Sequence, residues 1–216
     1  MIESYKTILQ GGSGEVVIKK SRFIGSVYPI SSEEEANDII EATKKKFWDA
    51  SHNCSAFILG TKNPIMRCSD DGEPSKTAGR PILDILLSHE LTNVLIIVTR
   101  YFGGTLLGTG GLVKAYQSSA IEGLNHSVII NKEIGYKISI STDYNLIGKI
   151  QYYLNQEGIT ILSSEYTDLV LLIVLVPPSR KDGFTKKIAE LSNGSAILEE
   201  NDLIYFTKMN GEVILF

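Results

Sequence analysis

The segments that follow Asn131 constrain the fold more than any other part of the sequence. They read in the order strand, helix, strand, strand, helix, strand, within roughly 75 residues. The first of these helices, over residues 143–157, repeats leucine and isoleucine at helical spacing and ends before Gly158. A βαββαβ order is typical of the ferredoxin-like arrangement. We therefore expect residues 131–216 to form a ferredoxin-like C-terminal domain.

Residues 1–130 carry a different pattern of helices and strands. The β-branched run at residues 93–100 predicts a buried strand. A capping box at Ser32 and Glu35 begins a helix whose apolar residues recur at helical spacing up to Phe47. Further helices are predicted over residues 81–89, where Pro81 suits the first turn, and 112–124, and strand-like segments lie elsewhere in this half. These patterns indicate a separate N-terminal α+β domain that spans residues 1–130.

Composition excludes several classes of protein. A hydrophobic content of 43% is enough for a core, so a mostly disordered chain is excluded. The longest apolar run, Leu169–Pro178, is half of the roughly 20 residues that cross a bilayer, so we expect no membrane span. A net charge of −4 disfavours a protein that coats nucleic acid by general attraction.

The cysteine content and the first residues bear on the compartment. Cys54 and Cys68 are too few for a disulfide scaffold or for a cysteine-only metal site. The first residues show no basic segment followed by an apolar one, which disfavours a signal peptide. We therefore expect a reduced, cytoplasmic protein that holds neither a metal nor another cofactor.

The densest motif is a cluster of five glycines within nine residues, directly after the predicted buried strand. The cluster lies between Arg100 and Lys114 and consists of Gly103, Gly104, Gly108, Gly110 and Gly111. A glycine-rich loop that enters a helix can present backbone N–H groups to an anion, and a lysine adds charge. Glycines equally allow positive φ angles and close packing of a helix on a sheet. Both interpretations stay open, because the loop has neither a Walker A motif nor a complete dinucleotide-binding motif.

An acidic loop precedes the second predicted helix. Its carboxylates, Asp70, Asp71 and Glu73, have the chemistry to hold a divalent cation or to orient a water molecule, and Arg80 follows them. Aspartate and glycine together are also a strong turn signal, because the aspartate side chain can bond to the loop backbone. We favour the turn over metal binding.

Other side chains near these motifs have two interpretations each. His52 and Cys54 would form a Cys/His/Asp set with Asp71, but a cysteine on a predicted strand is better explained as a small buried apolar residue. We therefore predict no catalytic residue. Tyr101 and Phe102 have rings that could stack on a base, although core packing is the favoured interpretation.

Arg100 ends the predicted buried strand and meets the glycine cluster. Its guanidinium group can pair with a carboxylate, either Asp70 or Glu73, or it can form a fork that binds an anion. The two roles do not exclude each other.

Four motifs carry a resemblance to a known family. They read Ser-Asp-Asp-Gly-Glu-Pro-Ser at residues 69–75, Thr-Ala-Gly-Arg-Pro-Ile at 77–82, Val-Thr-Arg-Tyr-Phe-Gly-Gly at 98–104, and Leu-Gly-Thr-Gly-Gly-Leu-Val-Lys-Ala-Tyr at 107–116. The chain resembles the IMPACT/YigZ family in its bacterial two-domain form. The resemblance implies an α+β protein, in which a ribosomal-protein-S5-domain-2-like α/β sandwich, shared with domain IV of elongation factor G, precedes a ferredoxin-like βαββαβ domain.

The resemblance also implies a function. Eukaryotic relatives act in translational control, and bacterial members look like ribosome- or RNA-associated proteins. We therefore expect a translation-associated regulatory or binding protein that contacts RNA, the ribosome or a translation factor through the loops Asp70–Pro81 and Arg100–Lys114. The expected binding residues are His52, Asp70, Asp71, Glu73, Arg80, Arg100, Tyr101, Gly103, Gly104, Gly108, Gly110, Gly111 and Lys114. The alternative is a metal-dependent enzyme acting on a phosphorylated small molecule or nucleotide, with the ion on the acidic loop and the phosphate on the glycine cluster.

Overall fold

The computed structural model describes residues 3–216. Its contacts divide the chain into two compact units. One unit is Tyr5–Asn131, and the other is Lys132–Phe216 together with residues 3 and 4. No helix of the described residues is long and apolar enough to cross a membrane.

The first unit contains a five-stranded antiparallel sheet. After an N-terminal strand β1 (Ser4–Gln10), its strands are β2 (Ser13–Ile18), β3 (Ser21–Pro29), β4 (His52–Leu59), β5 (Ile65–Ser69) and β6 (Val94–Tyr101). The spatial order is β2-β3-β6-β4-β5, which places β6 at the centre. The helices of this unit are α1 (Glu33–Lys46), α2 (Gly79–Ser88) and α3 (Gly108–Asn125).

Helices cover both faces of this sheet, which explains why the β6 sequence is apolar at nearly every position. Ile96 and Val98 pack in one core with residues of α2 and α3. Leu95 and Ile97 lie on the opposite face of the strand and pack in a second core with Ala36 of α1. The result is the expected α/β sandwich.

Helix α3 begins four residues earlier than the sequence pattern predicts, at Gly108 instead of residue 112. Three glycines of the cluster therefore lie in the first turn of a helix, although the whole cluster was expected to be a loop. Glycine is a poor helix former, so a prediction from residue types places the start of the helix after the glycines.

The second unit has the predicted ferredoxin-like order of elements. They are β7 (Val128–Thr142), α4 (Tyr144–Gln156), β8 (Thr160–Tyr166), β9 (Val170–Val176), α5 (Lys181–Leu191) and β10 (Ile197–Met209), followed by a short strand β11 (Glu212–Leu215). The sheet order is β11-β10-β7-β9-β8, and the pairs are antiparallel. The arrangement β10-β7-β9-β8 is that of a split βαβ fold, which confirms the prediction. Strand β11 was not predicted.

The core of the second unit lies between this sheet and its two helices. Ile150 of α4 and Phe184 of α5 are buried against Ile140 of β7 and Leu172 of β9. The apolar face that the sequence pattern assigned to α4 is thus the face that packs on the sheet.

Candidate functional site

A cleft of about 560 Å³ opens in the first unit, beside the N-terminus of α3. Its walls come from the start of β4, the loop after β5, the end of β6 and the segment that enters α3. The lining residues are Ser51, His52, Gly72, Glu73, Pro74, Arg100, Phe102, Leu106, Leu107, Gly108, Thr109 and Leu112.

A buried ion pair forms one side of the cleft. Arg100 Nη1 donates a hydrogen bond to Glu73 Oε1, and the two side chains are only 6% and 3% exposed. The hydroxyl of Tyr116 donates to the same Glu73 oxygen over 2.8 Å. Arg100 Nε is buried and has no hydrogen-bond partner among residues 3–216. The structure thus selects Glu73 from the two carboxylates that the sequence offered to Arg100.

The register of the central strand places three side chains in one row. Arg100 of β6 lies opposite Phe23 of β3 on one side and opposite His52 of β4 on the other. Residues that face each other across neighbouring strands project from the same face of the sheet. The Arg100 guanidinium accordingly lies 5.3 Å from the centre of the Phe23 ring, and 5.6 Å from that of Phe102.

Phe102 differs from the favoured expectation. It was expected in the core, but it is 49% exposed and lines the cleft. Leu106, in the same loop, is 82% exposed. These side chains give the cleft an apolar wall that is open to solvent.

His52 is oriented by the acidic loop. Its Nδ1 lies 2.8 Å from the backbone carbonyl oxygen of Asp71. A carbonyl oxygen only accepts hydrogen bonds, so Nδ1 is the donor in this contact. Nε2 lies 3.9 Å from Glu73 Oε1, beyond hydrogen-bond distance.

Asp70 organises the loop through hydrogen bonds to its backbone. Its Oδ1 accepts hydrogen bonds from the backbone N–H groups of Ala78 and Gly79, over 3.0 and 2.8 Å. Its Oδ2 accepts from the N–H of Lys76 over 2.8 Å. The carboxylate therefore caps the N-terminus of α2 from the preceding loop, which agrees with the favoured interpretation as a turn.

Asp71 is also engaged within the fold. Its Oδ2 accepts from the backbone N–H of Asn53 over 2.7 Å, and its Oδ1 lies 3.2 Å from Lys44 Nζ. Among residues 3–216, no group of three or more histidine, cysteine, aspartate or glutamate side chains is placed to hold a metal ion. The alternative in which Asp70, Asp71 or Glu73 holds a divalent cation is therefore not supported by their geometry.

Cys54 is a buried neutral thiol in the same sheet. Its Sγ donates to the carbonyl oxygen of Asp70 over 3.0 Å, and burial raises its pKa to about 12. A thiol with this pKa stays protonated at neutral pH, so it lacks the thiolate that a nucleophile needs. This agrees with its expected role as a small buried residue.

The glycines of the cluster have different roles. A side chain at Gly103 would place its Cβ 2.0 Å from the backbone of Lys20, so close packing requires glycine there. Gly104 in the loop and Gly108 at the first position of α3 have φ angles of +80° and +72°, a backbone conformation that favours glycine. Gly110 and Gly111 belong to the first turn of α3, and neither has a positive φ angle.

The N-terminus of α3 is open at the cleft. Leu107 occupies the N-cap position, no side chain of the described chain caps the helix there, and its first turn has no acidic residue. The first N–H groups of a helix have no partner within the helix, so these donors are left to water or to a ligand. The structure thus keeps the anion-binding interpretation of the glycine cluster open alongside the packing one.

The cleft brings together only some of the expected binding residues. His52, Glu73, Arg100 and Gly108 line it. The other expected residues lie outside its lining and are Asp70, Asp71, Arg80, Tyr101, Gly103, Gly104, Gly110, Gly111 and Lys114.

Three residues of this second set, Arg80, Tyr101 and Lys114, lie elsewhere in the first unit. Arg80 Nε donates to Asp84 Oδ1 over 2.8 Å on the exposed surface of α2. The Tyr101 hydroxyl donates to Asp49 Oδ1 over 3.0 Å. Lys114 is exposed on α3.

Sequence reasoning missed the apolar part of the cleft. Pro74, Leu106, Leu107 and Leu112 line it and lie within the two expected loops, but they were not among the binding residues predicted individually. The available signal was a pair of leucines inside a glycine-rich segment, where no strand or helix was expected to bury them.

Two family models match the chain. The model of the Impact N-terminal domain matches residues 19–124, which include every residue that lines the cleft. A domain of unknown function, DUF1949, matches residues 140–195, within the ferredoxin-like unit.

Whole-chain relatives are found in bacteria. The chain is 39% identical over 208 residues to the IMPACT family member YvyE of Bacillus subtilis, covering 96% of each chain. It is 36% identical to the IMPACT family member YigZ of Escherichia coli, covering 82% of this chain and 88% of that one. A crystal structure described as that of a hypothetical protein is 32% identical with a TM-score of 0.58, and the match covers 94% of this chain and 99% of the other.

Proposed function

The chain belongs to the IMPACT family, and on that premise we propose that it is a translation-associated regulatory protein that binds the ribosome through the cleft. The binding surface consists of the loop Asp70–Pro81 and the segment Arg100–Lys114, parts of which line the cleft. The role in translation is the one that the family resemblance implies, and the cytoplasm is the compartment that it requires. The observation that carries the proposal is the solvent-exposed apolar wall of Phe102 and Leu106, which lines the same cleft as the Arg100–Glu73 ion pair.

The exposed apolar side chains support binding to a large partner. Leu106 is 82% exposed and Phe102 is 49% exposed, and both line the same cleft. Scattered apolar residues on a surface need no explanation, but apolar residues gathered at a cleft are typical of an interaction site. Aromatic side chains in particular contribute much of the free energy of binding at interfaces.

The polar groups of the site support binding over catalysis. Glu73 and Arg100 neutralise each other in a buried pair, and Tyr116 donates to the same carboxylate. Asp70 is occupied by three backbone N–H groups, and Cys54 is a protonated thiol. These groups hold the loops that form the cleft, so a metal-dependent reaction on this acidic loop is not favoured.

Co-sedimentation with purified ribosomes tests the proposal. We expect the double variant Phe102→Ala/Leu106→Ser to bind ribosomes about tenfold more weakly than the wild type, because it removes the apolar wall while Arg100 and Glu73 themselves are unchanged. Val17→Ser is the matched control, since Val17 is 63% exposed on β2 and lies outside the cleft lining. It should bind like the wild type.

Two outcomes would contradict the proposal. Absence of the wild-type chain from the ribosome pellet would show that the ribosome is not the partner and would leave a free RNA or a translation factor to be tried. An equal loss in the Val17→Ser control would show that the apolar surface adheres without a specific site. If contacts to ribosomal RNA phosphates dominate, binding should weaken steeply with salt.

A further inference from the structure

We propose that the cleft holds a small ligand in which an oxyanion, either a phosphate monoester or a carboxylate, is joined to an apolar group. This inference deepens the proposed function, because it assigns a ligand class to the same cleft, but it is tested without ribosomes. It combines three features of the cleft, which are the open end of α3, an arginine with an unused donor edge, and the apolar wall.

The open end of α3 supplies the first set of donors. Gly108 and Thr109 line the cleft, and no side chain of residues 3–216 caps the helix. The helix dipole adds a partial positive charge at this end, within the first turn. Backbone N–H groups with that charge behind them are a typical binding site for phosphate or carboxylate.

Arg100 supplies a second and independent set of hydrogen-bond donors. The residue lines the cleft and is only 5% exposed, and its Nη1 is the atom that bonds to Glu73. The opposite edge of a guanidinium consists of Nε and Nη2, and this edge matches the two oxygens of a carboxylate or phosphate. Nε is the buried donor without a partner in the described chain. A buried donor without a partner is costly, and a bound oxyanion would satisfy it.

The nearby acidic groups do not oppose an anion strongly. The charge of Glu73 is balanced by Arg100, and its Oε1 also accepts from Tyr116. The carboxylates of Asp70 and Asp71 do not line the cleft and are held by backbone N–H groups, with Lys44 beside Asp71. The donors of Arg100 and α3 therefore dominate the polar side of the cleft.

The apolar part of the lining fits an apolar group. Phe102, Leu106 and Leu107 line it, and the first two are substantially exposed. A volume of about 560 Å³ lies within the range of roughly 300–1,000 Å³ that is usual for small-molecule sites. A bare inorganic anion would leave this wall uncovered, so the ligand should carry an apolar part.

Isothermal titration calorimetry with three probes tests the inference. Phenyl phosphate and phenylacetate carry the two candidate oxyanions, and benzyl alcohol is the uncharged control. We expect one or both acids to bind with one site per chain, and benzyl alcohol to bind at least about tenfold more weakly, because it lacks the paired oxygens for the Nε–Nη2 edge of Arg100 and the negative charge for the helix end. The stronger of the two acids identifies the oxyanion.

Gly110→Asp is the decisive variant. A side chain at Gly110 meets no atom within 4 Å, so the substitution fits without a clash. An aspartate in the first turn stabilises a helix but repels an incoming anion, so the variant should stay folded and bind the preferred acid about tenfold more weakly. Gly110→Asn has nearly the same shape without the charge and should bind within about threefold of the wild type.

Several results would overturn the inference. They are the absence of binding by both acids, equal binding of benzyl alcohol, and equal binding by Gly110→Asp. These outcomes are separable from the ribosome experiment. A chain that sediments with ribosomes through Phe102 and Leu106 but binds no acid retains the proposed function and loses the ligand assignment. A chain that binds an acid but not the ribosome retains the ligand assignment and loses the proposed function.

Discussion

At the scale of single residues, the two cysteines occupy opposite environments. Cys54 is buried with a pKa raised to about 12, whereas Cys68 is exposed on β5. Since the thiolate is the reactive form, we expect iodoacetamide at pH 9 to modify Cys68 alone in the folded chain and both cysteines in denaturant. Mass spectrometry of the intact chain counts the adducts.

A Cys68→Ser variant is the control for this prediction. It should gain no adduct when folded and one when denatured, and rapid modification of folded Cys54 would contradict the assigned burial.

The raised pKa of Cys54 also makes the stability of the fold depend on pH. The unfolded chain releases the thiol proton near the ordinary pKa of 9.0 and the folded chain near 12, so the unfolded state binds fewer protons between these values. The free energy of unfolding should therefore fall as the pH rises through this interval.

For Arg100, the sequence predicts that the side chain pairs with a carboxylate but not which carboxylate it pairs with. A carboxylate partner was predictable, because an arginine in a buried strand needs one. The choice of Glu73 over Asp70 depends on the path of the loop, which turns at Asp71 with a φ angle of +41°. The exposure of Phe102 was not predictable either, since an aromatic residue after a buried strand is usually part of the core.

At the scale of elements, helix α2 depends on a residue outside it. Its N-cap residue, Ala78, has no side chain that can accept a hydrogen bond, and Asp70 accepts from the first N–H groups instead. We expect Asp70→Ala to lower the free energy of unfolding by about 2 kcal/mol, because three backbone donors lose their acceptor. Urea unfolding followed by circular dichroism measures the change.

Asp84→Ala is the matched control on the same helix. The Asp84 carboxylate is 44% exposed and pairs with Arg80, so its loss should cost less than about 1 kcal/mol. Equal effects of the two substitutions would show that Asp70 does not cap α2. A larger cost at Asp70 supports its role in holding the loop that carries Glu73.

Element-level prediction from the sequence worked where apolar spacing decides the structure. The strand over residues 93–100 and the βαββαβ order were both recovered, because each depends on residues that repeat at strand or helix spacing. The start of α3 and the short strand β11 were missed. Gly108–Gly111 has no helical pattern to detect, and β11 is an edge strand of four residues that lies near the end of the chain.

At the scale of the whole molecule, the first described residue belongs to the unit formed by the end of the chain. The carbonyl oxygen of Glu3 accepts from the N–H of Ile134 over 2.8 Å, and its carboxylate accepts from the N–H and hydroxyl of Ser179 over 2.8 and 2.9 Å. We expect Glu3→Ala to speed amide exchange at Ser179 about fivefold, because it removes two hydrogen bonds there. Hydrogen exchange with mass spectrometry measures this locally.

The comparison within the same experiment is Glu199→Ala, which removes an exposed carboxylate from β10 of the same unit. Exchange at Ser179 should not change in that variant. An unchanged rate in Glu3→Ala would mean that the side-chain bonds do not hold the Pro178–Arg180 turn. No local pattern in the sequence predicts this contact, since its partners are 176 residues apart.

The cleft shows the same limit of prediction from sequence. Its motifs were recognisable, and four of the expected residues, His52, Glu73, Arg100 and Gly108, do meet there. Which residues of a motif face a common space depends on how distant segments are packed, and single-sequence patterns carry little of that information. The expected loops therefore contain part of the cleft lining, while the grouping of its apolar residues emerged only from the fold.

The two-sided packing of β6 has a consequence for how this family can change length. Alternate side chains of the strand belong to different cores, and Arg100 shares a face with Ile96 and Val98. Insertion of one residue before Arg100 would reverse this alternation and turn the guanidinium toward the α1 side, away from Glu73. Insertion of two residues would return Arg100 to its original face of the sheet but would move it out of register with Phe23 and His52. Natural variation in length should therefore be found in the connections between elements, and β6 should keep a constant number of residues.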